Sequence, residues 1–190
     1  MSVLLKQVKA TNPDALVASS YFEEAVLIVK QAKQLKFCPK MLALTLGPEF
    51  PDFAKSLGKD ADYVYGSAWW LPNMSWKGRD FGSSRDYAKA MAKRTGREPT
   101  YHEAGGTAAG LFLQMAIEKA NSLDTDAVRA AFGTIDTETF WGPIAWNDKG
   151  QNIKGASGPL QIQNGKIVSI YPEHLRDAPP VYPMPCWSRR

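Results

Sequence analysis

The sequence has only two cysteines, two histidines and no long apolar run, and each shortage removes a class of protein. The longest apolar tract, near residues 108–117, is broken by Gly110 and Gln114. It falls well short of the ~20 residues that a bilayer-crossing helix needs. The opening Met1-Ser-Val-Leu-Leu-Lys6 lacks a basic start, a long apolar segment and a small-residue cleavage site, so it does not read as a secretory signal. His102 and His174 have no second histidine or cysteine at metal-ligand spacing, and no metal or other cofactor is expected. No glycine-rich loop ends in Lys-Ser or Lys-Thr, and there is no Gly-x-Ser-x-Gly elbow. Gly105-Gly106-Thr107 follows no strand and lacks the dinucleotide-binding spacing. Glu23 and Glu24 are adjacent, so on a helix they point apart; they suit a helix N-terminus rather than paired acid–base work. Enzyme chemistry is therefore not expected. Cys38 and Cys186 are far apart, and spacing alone leaves open one disulfide or two free thiols. Cys38 stands at a helix end, where nothing lowers its pKa, so a structural role is expected.

What is present is the composition of a globular protein with a real core: 44% hydrophobic, 22% charged and 11% aromatic residues over 190 positions. The net charge of +4 is dispersed, with opposite charges adjacent in Lys59-Asp60 and Arg79-Asp80. Such mixed polarity describes a solvated face, and no nucleic-acid partner is expected.

The first third alternates strands and helices. A short helix over 2–10 leads to the turn signal Asn12-Pro13-Asp14. The apolar run 15–18 suits a buried parallel strand. Ser20 and Glu23 have capping-box spacing, and Ala25, Ile28, Val29, Ala32 and Leu35 recur at helical intervals until Pro39. A second strand is read at 41–45. A short helix with Pro48 at its first position carries Phe50, Phe53, Ala54 and Leu57 and ends at Gly58, and a third strand is read at 61–68. Strand–helix–strand–helix–strand is the pattern of a parallel sheet, so the fold class is α/β.

Residues 71–83 read as an irregular crossing segment. Helices follow at about 85–95 and 102–120, then at 125–132 with Asp124 as cap. Gly105, Gly106 and Gly110 suggest a close approach to the longest helix. The segment 140–146 is extended, with Pro143 marking an edge. Asn164-Gly165 between two short strands is a strong hairpin signal, and 182–187 is a proline-spaced tail.

In open parallel sheets ligands sit outside the carboxyl ends of the strands. The candidate ligand-binding residues are therefore Ser19, Ser20 and Tyr21 after the first strand, Thr45 after the second, and Asp62, Tyr63 and Trp69 flanking the third. The hydroxyls and the helix start suit a carboxylate or carbonyl, Asp62 an amine, and the aromatic rings an apolar solute.

Several stretches together resemble a known family. They are Asn12-Pro-Asp-Ala-Leu-Val-Ala-Ser-Ser20, Lys30-Gln-Ala-Lys33, Leu57-Gly58, Ala61-Asp-Tyr-Val-Tyr-Gly66, Trp69, Tyr87, Thr100-Tyr-His-Glu-Ala-Gly-Gly106 and Ala116-Ile-Glu118. Later come Phe140-Trp-Gly-Pro-Ile144, Asn147-Asp-Lys-Gly150, Gln161-Ile-Gln-Asn-Gly165 and Val181-Tyr-Pro-Met-Pro185. In this order the chain resembles the substrate-binding proteins of branched-chain amino-acid ABC transporters, the leucine/isoleucine/valine-binding family. The resemblance implies a partial type I periplasmic-binding-protein fold: two α/β lobes joined by three crossing strands, with solute in the cleft and no catalysis. It implies that residues 1–70 belong to the second lobe, 71–145 to the first, and 146–190 to the second lobe again. A complete member is roughly twice as long, and the opening strands that carry its carboxylate-holding Ser/Ala/Thr contacts have no counterpart here.

The resemblance maps an ammonium-binding acid onto Asp62 and a usual glycine onto Tyr63, which would narrow the site. It implies a small-molecule solute, a branched-chain amino acid or a related amide or aromatic acid, an ABC permease as partner, and a periplasmic location. A half-length chain lacks one wall of the cleft, so it is expected either to self-associate as a homo-oligomer or to be a fragment of a longer product, with solute binding impaired. The alternatives are a sensory or regulatory ligand-binding module, or a dimeric fragment that serves interaction only.

Overall fold

The structure, a computed structural model, describes residues 1–155, 157–173 and 176–190. The sequence reading of His174 lies outside the described residues. The chain begins with α1 (Ser2–Ala10), β1 (Ala15–Ala18), α2 (Phe22–Gln34), β2 (Met41–Leu44), α3 (Pro51–Leu57) and β3 (Tyr65–Ala68). Next come β4 (Lys77–Gly78), β5 (Gly82–Ser83), α4 (Ser84–Thr95), α5 (Tyr101–Ala120), α6 (Thr125–Phe132), β6 (Asp136–Thr139) and β7 (Gly142–Ala145). It closes with β8 (Gly158–Gln163) and β9 (Lys166–Ser169). These elements form two compact units: unit 1 is Met1–Ala68 with Gly158–Arg190, and unit 2 is Trp69–Ser157. The chain re-enters unit 1 at Gly158, so 146–157 stay with unit 2 and not with the returning segment expected from residue 146.

Unit 1 is built on a five-stranded sheet in the order β1-β2-β3-β8-β9. Strands β1, β2 and β3 are parallel, and β8 joins β3 antiparallel. Ala25, Ile28, Val29 and Ala32 are the buried stripe of α2, spaced as one helical face should be. They share the unit 1 core with Leu42, Leu44, Phe53, Val64, Leu160 and Ile162. The Asn164-Gly165 hairpin forms as the sequence predicts, with both residues at positive φ (53° and 72°) as a tight two-residue turn requires.

Three expectations in this unit change. The third strand spans only Tyr65–Ala68, because a 3-10 turn over Gly58–Ala61 occupies the chain before it. The third helix starts at Pro51, not Pro48, because Phe50 donates back to the Gly47 carbonyl (3.0 Å) and closes a separate turn first. The N-cap of α2 is Tyr21, with no side-chain cap, so the expected Ser20–Glu23 capping box is not made. The Ser20 hydroxyl instead donates to the Leu46 carbonyl (3.3 Å).

Spacing left the two cysteines open; the structure joins Cys38 to Cys186, with Cα atoms 5.6 Å apart. The bond fastens the tail to the end of the α2 region. Met184 donates its amide to the Lys40 carbonyl (2.8 Å), and the Trp187 indole donates to the Phe37 carbonyl (2.8 Å). The buried Gln161 side chain accepts from the Val181 amide (2.8 Å) and donates to its carbonyl (3.1 Å).

Unit 2 has three helices and two short antiparallel ladders, β4-β5 and β6-β7. Two capping boxes start its helices: Ser83 with Asp86 on α4, and Thr100 with Glu103 on α5. Asp124 caps α6 through the Ala127 amide (3.0 Å). Strand β6, unrecognised in the sequence, pairs with the expected extended segment at β7. Trp70, Tyr87 and Phe140 form the aromatic centre of the core. Tyr87 stacks on Phe140 with centroids 4.0 Å apart, and the Trp70 indole donates to the Phe140 carbonyl (3.0 Å). Of the three glycines in α5, Gly105 has a close neighbour: a Cβ there would stand 3.2 Å from the Trp141 ring. Gly106 and Gly110 face open space.

Candidate functional site

The carboxyl ends of β1, β2 and β3 in unit 1 gather a row of polar groups. Thr45 follows β2 directly. Its hydroxyl accepts from the Ser20 amide (3.0 Å) and donates to the Ser20 carbonyl (3.1 Å). These bonds tie the end of β1 to the end of β2. Ser67, near the end of β3, donates its hydroxyl to the Thr45 carbonyl (3.2 Å). Ser20 is buried, whereas Ser19, Tyr21 and Thr45 are exposed. The start of α2, with no side-chain cap, opens on the same edge, and uncapped amides there favour a carbonyl or carboxylate.

Beyond Thr45 the chain turns sharply through Gly47-Pro48-Glu49. Gly47 has φ +123°, and a Cβ on it would stand 2.6 Å from Ala25 Cβ, so the turn presses directly on α2. Pro48 packs on the other side against Gly66 of β3, where a Cβ would stand 2.7 Å from the proline. This wedge delivers Glu49 into the interior, where it is 6% exposed. One carboxylate oxygen, Oε2, accepts from the Gly47 amide (2.6 Å). The other, Oε1, is buried without a partner. Burial pushes the Glu49 carboxyl up from 4.5 to about 7, against the opposing pull of its backbone hydrogen bonds. Leaving one carboxyl oxygen buried and unpaired is costly for the charged form, which is the cause of the raised value.

Asp62 and Tyr63 are not part of this group. They precede β3, beside the β8–β9 turn, where Asp62 Oδ1 accepts from the Gly165 amide (2.7 Å). Tyr65 is level with Ala43, so Asp62 lies at the edge where the parallel strands begin. Asp62 lies in the turn before β3, toward the opposite end of that strand from Ser67. Its neighbours are tail residues. Burial lowers the Arg190 guanidinium to about 10, against the attraction of Asp60, Asp62 and Tyr63. Tyr63 has φ +68°, which explains why a glycine suits that position; its demand is on the backbone and not on a ligand. Trp69 belongs to unit 2, where it is exposed, and Trp70 is a core residue.

Of the residues expected from the sequence, Ser19, Ser20, Tyr21 and Thr45 lie together at the strand ends, with Ser67 and Glu49 added there by the structure. The available signal for Glu49 was an acid two residues after a glycine that directly follows a strand. A concavity of about 1060 Å³ between α5 and α6 in unit 2 offers mainly apolar side chains such as Leu113, Val128 and Phe132. It lies in the other unit from the strand ends. Polar groups gather instead at the strand ends of unit 1, and Glu49 Oε1 nearby is unsatisfied. Among the described residues no group of three metal-ligating side chains occurs, and no helix is long and apolar enough to cross a membrane.

A parallel-rich sheet with flanking helices and a chain that leaves and re-enters the same unit define an α/β architecture. The family model described as "Periplasmic binding protein" matches residues 1–166, and the chain belongs to that family. A Leu/Ile/Val-binding protein homolog 7 from Brucella melitensis is 24% identical over 182 residues, covering 91% of this chain and 45% of that protein. The chain spans about half the length of the curated relatives it matches. Among solved structures, a leucine binding protein from Thermotoga maritima superposes with a TM-score of 0.73 at 24% identity, covering 87% of this chain and 46% of the other. A Rhodopseudomonas palustris solute binding protein in complex with benzoate gives a TM-score of 0.68 at 15% identity, covering 95% and 47%. These relatives are substrate-binding proteins and not enzymes.

Proposed function

We propose that this chain supplies part of the solute-capture site of an ABC-type importer, and that the solute carries an ammonium group received by Glu49. The observation that carries the reading is the buried Glu49 carboxyl, whose Oε1 has no partner and which follows Thr45 in the turn after β2. Glu49 takes the role expected of Asp62, whose carboxylate is engaged by Gly165. Unit 1 corresponds to the second lobe of a two-lobed binder and unit 2 to part of the first. A branched-chain amino acid fits a site that pairs an acid with the open start of α2, whose amides suit its carboxylate; an amide or aromatic acid lacks the ammonium that Glu49 calls for. The Cys38–Cys186 disulfide supports an oxidising compartment such as the periplasm, and an ABC permease is the expected recipient of the solute. Self-association of this half-length chain is a separate expectation, which light scattering during size exclusion reads.

The test is a thermal-shift and calorimetric comparison of leucine, isoleucine, benzoate and a short aliphatic amide. Leucine or isoleucine should raise the melting temperature through mass action, and Glu49→Gln should abolish the rise. A shift with benzoate and none with either amino acid would overturn the assignment of Glu49.

A further inference from the structure

The sheet of unit 1 ends in β9 on one side and β1 on the other, and the two edges differ. At the β9 edge the Ser169 amide donates to the Asp177 carboxylate (3.0 Å), and the Ser169 carbonyl accepts from the Asp177 amide (2.9 Å). That strand also opens on Lys166, and a charge on an edge strand resists further pairing. Among the described residues β1 has neither protection, and β2 is its one ladder partner. From Ala15 to Phe22 the chain carries no charge and no proline. Successive residues of a parallel strand turn their backbone groups to alternate sides. The carbonyls of Asp14 and Ala18 face β2, accepting from the Met41 (3.2 Å) and Thr45 (3.1 Å) amides. The amides and carbonyls of Ala15 and Val17 therefore face outward, and both residues are exposed, Val17 to 69%.

We propose that this edge is the interface with a second copy of the chain, the two β1 strands pairing antiparallel about Val17 so that two five-stranded sheets become one. A two-fold axis between identical edge strands stands perpendicular to the sheet, which makes the pairing antiparallel and sets opposed residues on the same face. The outward backbone groups choose the register. Centred on Val17, that residue exchanges hydrogen bonds with its own copy, and Ala15 exchanges them with Ser19, the next outward residue. Moving the centre to Leu16 sets Ser19 against Pro13, which has no amide to give. Moving it to Ala18 sets Ala15 against Tyr21, whose carbonyl is already held by the Ala25 amide (2.8 Å). Val17 opposite Val17 is also a favourable β-branched pair on the exposed face. No like charges are brought together. The nearest charges, Asp14 and Lys40, already form an ion pair within each copy (2.9 Å), and a charged partner strand would find no counter-charge along this edge. The pairing gives the expected self-association a surface, and it stands whether or not Glu49 receives a solute.

Sedimentation equilibrium over about 5–500 µM protein should show a monomer–dimer equilibrium, with a dissociation constant on the order of 50 µM as suits a small interface. Val17→Lys sets like charges opposite each other at the centre and should weaken the dimer about tenfold or more. Leu123→Lys, at an exposed apolar residue of unit 2, should leave it unchanged. Cross-linking reads the register. Opposed residues of a hydrogen-bonded antiparallel pair have Cα atoms about 5.5 Å apart, within reach of a disulfide. Val17→Cys should therefore give a covalent dimer under copper-catalysed air oxidation, the two native cysteines being already joined. Ala15→Cys stands about 13 Å from its own copy in this register and should not. The proposal is overturned by a monomer at about 500 µM, which would leave the edge to a strand of a different polypeptide. It is equally overturned if the two lysine variants weaken the dimer alike, if Val17→Lys leaves it intact, or if Ala15→Cys cross-links as readily as Val17→Cys. Should Val17→Lys fail to fold, the two cysteine variants still decide.

Discussion

Replacing Glu49 by glutamine separates the charge of the buried carboxyl from its shape. In the folded protein the carboxyl is raised from 4.5 to about 7, chiefly because burial penalises the ionised form. Its contribution to stability is therefore present in full below pH 4.5 and is lost as the pH rises through about 7. At about 1.4 kcal/mol per pKa unit, the displacement amounts to roughly 3 kcal/mol between pH 4.5 and pH 8. Glutamine keeps an oxygen for the Gly47 amide but never ionises. Glu49→Gln should accordingly match the parent at pH 4.5 and exceed it by about 2–3 kcal/mol at pH 8. Urea denaturation of both proteins at the two pH values measures this, with the other titrating groups cancelling in the difference. A stability difference that does not change with pH would refute a buried, destabilised carboxylate. The same variant loses the charge that an ammonium ligand needs, so greater stability and weaker solute binding should appear together.

Other perturbations test other parts of the structure. Removing the disulfide with Cys38→Ser and Cys186→Ser opens a loop spanning 148 positions; chain entropy puts the loss at about 5 kcal/mol, seen as a lower urea midpoint that matches the reduced parent. Gly47→Ala meets both a φ of +123° and a Cβ 2.6 Å from that of Ala25, and should cost about 2–4 kcal/mol in the same assay. Ser83→Ala removes the cap of α4, where the hydroxyl accepts from the Asp86 amide (3.1 Å); a loss of about 1 kcal/mol should appear in thermal unfolding. Tyr63→Gly relieves a left-handed residue at φ +68° and should leave solute binding unchanged in calorimetry, because Tyr63 stands at the far edge from the polar row.

The elements with a strong local code were legible in the sequence. The α2 stripe, the Asn164-Gly165 hairpin, the Asp124 cap and the start of α4 each depend on residues close together in the chain. Strand β6 was not legible, because Asp-Thr-Glu-Thr has no apolar alternation and is held by pairing with β7. The disulfide was left open because its partners are brought together only by the tail, through Lys40, Phe37 and Gln161. At the site, the strand-end hydroxyls follow from a general rule about parallel sheets. Glu49 did not, because its burial depends on Gly47 and Pro48 wedging between α2 and β3. Asp62 drew attention by its chemistry, yet sequence cannot tell which end of a four-residue strand a flanking acid occupies.

Unit 1 is interrupted in the chain but continuous in its sheet. Its outgoing strand ends at Ala68, its returning strand starts at Gly158, and those two residues are directly paired across an antiparallel ladder. That is the geometry a two-residue Asn-Gly turn closes. Unit 1 can therefore be written as an uninterrupted polypeptide by joining Ala68 to Gly158 through such a turn, with every strand neighbour and the Cys38–Cys186 bond retained. In that shortened form the disulfide would close a much smaller ring. The strand-end carboxyl could then be titrated in a protein whose single remaining tryptophan is Trp187.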